Sequence, residues 1–132
     1  LVNLSLSSRK VPSREKLLAL VDALQTMETP ALMHCKSGCD RAGLASALYL
    51  LAVANRPAAE ALGQLHWRYG HLKHSPAGLV HHLIETYARE GEAEGLDIRT
   101  WAAERYDPAT IRAGFKPSGW AKLLFDWVLR RE

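Results

Sequence analysis

At 132 residues, 48% of them hydrophobic, the chain has material for one core and not for two ordinary domains. No apolar run approaches the ~18–20 residues that a bilayer crossing needs, and no basic, apolar, small-residue series marks a signal peptide, so a soluble chain is expected. The net charge of +3 is mild and suggests no nucleic-acid partner, but it is unevenly spread: residues 34–82 carry Lys36, Arg41, Arg56, Arg68 and Lys73 against Asp40 and Glu60, whereas acids dominate residues 85–107.

In chain order, Val2, Leu4 and Leu6 alternate with Asn3, Ser5 and Ser7, the two-residue period of a strand with one buried face. Ser13 follows Pro12 as a helix cap, and Leu17, Leu18, Leu20, Val21 and Leu24 make an apolar stripe for a helix ending near Thr26. Residues 30–33 (Pro-Ala-Leu-Met) form a second, buried strand, and the run from Ala42 to Ala54 is helix-compatible, giving a helix to about Asn55. A further helix is expected to open at Pro57, turn Ala58, Ala61, Leu62 and Leu65 inward, and stop at Gly70. Ser75 and Pro76 supply cap and first turn for a helix to about Arg89, and residues 90–95 an exposed connection. Asp97 is expected to cap a helix containing Trp101, Asp107-Pro108 to start another, and residues 118–131 to form the last. Trp67, Trp101, Trp120 and Trp127 fall on apolar helical faces and are expected in the core.

The chemistry concentrates between the second strand and its helix, in His34-Cys35-Lys36-Ser37-Gly38-Cys39-Asp40-Arg41-Ala42-Gly43. A loop that opens a helix presents unpaired N–H groups and the positive end of the helix dipole, which suit an anion or a thiolate. Cys35 stands at the mouth as a nucleophile, and the planar fork of Arg41 can hold two phosphate oxygens at once. Two cysteines in one loop make no disulfide framework, so a reducing, cytoplasmic setting is expected. Cys39 is either a trap for oxidised Cys35 or a small loop residue whose backbone N–H is what counts.

The string resembles the H-C-x5-R signature of cysteine-dependent phosphatases, the protein tyrosine and dual-specificity enzymes, with His34, Cys35, Gly38 and Arg41 in place. Its form, H-C-K-x-G-x-D-R-x-G, is most similar to their bacterial branch, and the similarity extends to about Gly91. The resemblance implies an α/β fold, a parallel sheet flanked by helices, whose N-terminal strands are missing from this chain. Residues 1–91 would then be the C-terminal part of a phosphatase domain, and 92–132 a helical extension packed on the same core.

It also implies that Cys35 attacks phosphorus, that the N–H groups of Lys36, Ser37, Gly38, Cys39 and Asp40 join Arg41 around the oxyanion, and that His34 supports the loop. No metal or cofactor is implied. The family's usual upstream aspartate has no counterpart between Asn3 and Arg9, so Asp40, placed as in members with an aspartate before the arginine, is the expected general acid. An aspartate that only pairs with a neighbouring base is the alternative. Ala42 replaces the family's Ser or Thr, which predicts a slower breakdown of the phosphoenzyme. His71, Lys73 and His74 either widen the positive field at the cleft or are solvated loop residues.

The expected substrate is a phosphorylated protein or a small phosphomonoester. A phosphate-binding pseudophosphatase is the second reading; a phosphoinositide phosphatase and a rhodanese-like sulfurtransferase are weaker ones.

Overall fold

The computed structural model describes residues 1–116, 118–120, 123 and 127. Helices α1 (Arg14–Thr26) and α2 (Asp40–Ala52) are followed by a single turn, α3 (Ala58–Ala61), and then by α4 (Leu79–Glu90), α5 (Ile98–Glu104) and α6 (Pro108–Gly114). Short 3-10 turns at Leu62–Gln64, Trp67–Tyr69, Pro76–Gly78 and Glu92–Glu94 connect them. No helix among the described residues is long and apolar enough to cross a membrane. The helix expected over residues 118–131 falls largely outside the described residues.

The helix starts follow from capping chemistry. Ser13 accepts from the Lys16 N–H at 3.3 Å, Asp97 from Thr100 at 2.7 Å and Asp107 from Ala109 at 3.1 Å, each satisfying a first-turn donor. Glu92 does the same from a distance for α3, accepting the Ala58 N–H at 2.9 Å. Helix α2 is the hub and packs on α1, α3, α4 and α5. Its Leu44, Ala47, Leu48 and Leu51 share one core with Leu17, Val21 and Leu24 of α1, Leu83 and Ile84 of α4, and Ile98 and Trp101 of α5. Tyr106 closes this core: its hydroxyl donates to the Pro12 carbonyl at 2.6 Å, and its own carbonyl accepts from Arg14 at 2.7 Å. Burial pushes the Tyr106 phenol well above its usual range.

The expected parallel sheet does not form: there is no β-strand among the described residues. Residues 1–10 and 28–38 make no backbone–backbone hydrogen bond to any described segment. A two-residue period specifies which side chains face inward, and Leu4, Leu6 and Met33 do rest against the core. It does not supply a neighbour, and a strand exists only as part of a ladder; even two paired strands are marginal. Val2 and Leu32 remain 72% and 87% exposed.

The expected long helix from Pro57 to Gly70 is also shorter. It unwinds after Ala61 into 3-10 turns and ends at Gly70, which has a left-handed φ of 80°. Of the four tryptophans, Trp101 is buried against Tyr87 and Tyr106, with ring centroids 5.6 and 5.5 Å away. Trp67, Trp120 and Trp127 are exposed, which corrects the expectation that they are core.

Candidate functional site

Residues 27–33 leave α1 without regular structure, with a bend at residues 29–30, and the loop of residues 34–39 joins them to the N-terminus of α2. Gly38 takes a left-handed φ of 76°, a turn that a side chain resists, and this aims its N–H at the Cys35 sulfur, 3.2 Å away. Cys39 precedes α2 without a side-chain cap, and the N–H groups of Asp40, Arg41 and Ala42 find no acceptor among the described residues. The helix therefore begins with unanswered donors beside a thiol.

Cys35, Lys36, Arg41, Ala42 and the exposed His34 line one open cleft of about 710 Å³. Most of its remaining wall is apolar, with Leu4, Leu6, Leu20, Leu24 and Met33 among the lining residues. Arg41 is half-buried there and has no carboxylate partner among the described residues. The acidic residue lining this cleft is Glu28, exposed just past α1, a residue that no motif pointed to. Ser37 and Gly38 are exposed, and neither is among the cleft residues. Cys39 donates to the Ser37 carbonyl at 3.4 Å, and neither cysteine is in a disulfide.

Asp40 lies elsewhere. It is buried, does not line the cleft, and its Oδ1 is 2.8 Å from Nδ1 of His71. His71 is itself 1% exposed, so neither expectation for it, cleft charge or solvated loop residue, describes where it sits. Lys73 pairs with Glu85 of α4 at 2.8 Å, and His74 is exposed. The His71 ring lies parallel to that of His81 on α4, with centroids 6.1 Å apart. Burial pushes His81 below its usual value, opposed by the charge of Glu85 and aided by those of Lys73 and His71. His81 Nδ1 is 3.4 Å from Glu85 Oε1, within reach of its charge but not aligned as a hydrogen bond. The signal available in the sequence for this cluster was two histidines, His71 and His81, on segments that pack together, but their register depends on the fold.

The described residues contain no group of three or more His, Cys, Asp or Glu side chains placed to hold a metal ion. Residues 5–60, which carry α1, the cysteine loop and α2, match the model of the tyrosine phosphatase family. No curated protein and no solved structure matches the chain.

Proposed function

Starting from a tyrosine-phosphatase segment at residues 5–60, we propose that the chain hydrolyses phosphomonoesters through Cys35, with aryl phosphates such as phosphotyrosine as the substrate class. One observation carries this: among the described residues Arg41 is half-buried, has no anionic partner, and lines the same cleft as Cys35 at a helix start whose donors find no acceptor. A phosphoryl group would supply the missing charge and accept those hydrogen bonds.

In this mechanism the Cys35 sulfur attacks phosphorus, the bond to the leaving oxygen breaks, and a cysteinyl-phosphate forms. Water then attacks phosphorus and releases phosphate, returning the thiol. The Gly38 N–H favours negative charge on sulfur, and the helix start and Arg41 stabilise the oxygens as charge builds on them. The inward carboxylate of Asp40 supports the alternative in which it pairs with a base rather than the one in which it donates a proton. That favours substrates whose leaving group needs little protonation, such as a phenol with pKa about 10. The His-Cys-Lys start and the Asp-Arg pair support a place near the bacterial branch of the family.

The test is turnover of p-nitrophenyl phosphate and a phosphotyrosyl peptide, with Cys35→Ser as control. Wild-type turnover that disappears in Cys35→Ser while orthophosphate still binds is the expected result. Turnover surviving in that variant overturns the nucleophile. A phosphate-binding module without catalysis is the second reading, supported by Ala42 where the family carries a hydroxyl; phosphate binding without wild-type turnover would establish it.

A further inference from the structure

Two successive residues of one segment grip two successive residues of the cysteine loop. Gly70 lies so close to Cys39 that a Cβ added to it would sit 2.7 Å from the Cys39 sulfur. The next residue, His71, meets the next loop residue, Asp40, through the 2.8 Å contact between Nδ1 and Oδ1. The side chains are 0% and 9% exposed, so this is the interaction that answers a carboxylate removed from water.

His71 is held from several sides. The left-handed Gly70 turns the chain, the His71 N–H bonds the His66 carbonyl at 3.3 Å, and the ring lies flat against His81 of α4 with only 9° between planes. Ser75 fixes the downstream end of the segment, accepting the Ala77 N–H at 3.2 Å and donating to the Leu72 carbonyl at 2.8 Å.

We propose that His71 is a positioning residue for the phosphate site and acts through Asp40. The inference rests on the reading of the cysteine loop as a phosphate site. Successive helical residues point about 100° apart, so holding the Asp40 side chain inward leaves Arg41 directed to the cleft. It also holds the first turn of α2, with its free N–H groups, at a fixed distance from Cys35. His71 is not a proton carrier: it does not line the cleft, its side chain has no solvent exposure, and its Nε2 is buried without a hydrogen-bond partner among the described residues.

The experiment measures orthophosphate affinity by calorimetry, and KM and kcat for p-nitrophenyl phosphate, on the 132-residue chain and two variants. His71→Leu keeps the volume and removes the donor. His71→Asn keeps an N–H donor close to the position of Nδ1. Expected for His71→Leu is a phosphate affinity weakened about tenfold or more, with KM raised further than kcat falls. His71→Asn is expected to return affinity to within about threefold of wild type, a rescue that loss of packing alone would not produce.

A folded His71→Leu that binds phosphate like wild type overturns the proposal. Should His71→Leu fail to fold, His71→Asn decides: wild-type affinity supports the bond as the positioning contact, and a folded, weak-binding His71→Asn overturns it. Failure of the wild-type chain to bind phosphate is a different outcome, which overturns the phosphate-site reading and this inference with it.

Discussion

Asp40 and Arg41 are neighbours in the chain and opposites in their surroundings. Asp40 is turned into the protein, buried and bonded to His71; Arg41 is turned to the cleft, half-buried and without an anion among the described residues. Each is a charge partly withdrawn from water, and each must be compensated. The carboxylate is compensated inside the fold, so its energy is spent on holding the loop. The guanidinium is not, so its energy remains available to a ligand. One end of one helix thus has an anchoring side and a working side, and the two should fail differently when altered.

The largest effect is expected on the anchoring side. Asp40→Ala removes one partner of a buried pair and leaves the His71 donor unanswered, a change that costs about 3–4 kcal/mol of stability. Urea denaturation checks it, and a loss below about 1 kcal/mol would mean that water replaces the carboxylate there. On the working side, Arg41→Lys keeps the charge and loses the two-pronged geometry, so kcat/KM for an aryl phosphate should fall about 100-fold with the denaturation midpoint unmoved. If the first substitution altered only turnover and the second only stability, the two sides would have to be exchanged. A smaller effect belongs to Gly70→Ala. Its φ of 80° disfavours a Cβ by about 1–2 kcal/mol, and that Cβ would also press on the Cys39 sulfur. Stability and phosphate affinity should fall together in that variant, whereas strain confined to the turn would spare affinity.

What was legible in the sequence follows the same division between local and distant causes. The cysteine loop could be read because nucleophile, glycine and arginine lie within seven residues, and a helix start needs only its own neighbours. Ser13, Asp97 and Asp107 could be read as caps for the same reason, since each answers an N–H two or three positions away. The strands could not be: Val2, Leu4 and Leu6 have the right period, but a ladder needs a second backbone, and none of the described segments pairs with theirs. His71 was hidden in the opposite way. It sits in a polar link whose composition suggests exposure, and the carboxylate that draws it inward is 31 positions earlier. Which way Asp40 points could not be read either, because its direction is set by that same distant partner. Trp67 shows how a helical period misleads once the helix unwinds: it falls in a 3-10 turn and lies 71% exposed.

The smallest expected effect tests the ring behind the anchor. Burial lowers the His81 pKa from 6.5, so as pH drops below that value the unfolded chain takes up a proton that the folded chain refuses. The unfolded state then binds more protons, and stability falls with falling pH; above the unfolded value His81 contributes nothing to the slope. Glu85 acts in a lower window. Burial raises its pKa, but the Lys73 hydrogen bond and the charges of His81 and Lys73 outweigh that and leave it below 4.5. Its contribution is therefore complete above 4.5 and disappears as pH falls through its folded value. His81→Phe keeps a flat ring against His71 and removes the upper titration, and it also removes one of the groups that hold the Glu85 pKa down, an effect confined to the lower window. Between about pH 7 and about pH 5 the stability of this variant should fall less steeply than that of the wild type, and the exposed His34, His66 and His74 cancel in the difference. Parallel curves over that interval would mean that His81 accepts its proton without leaving the fold.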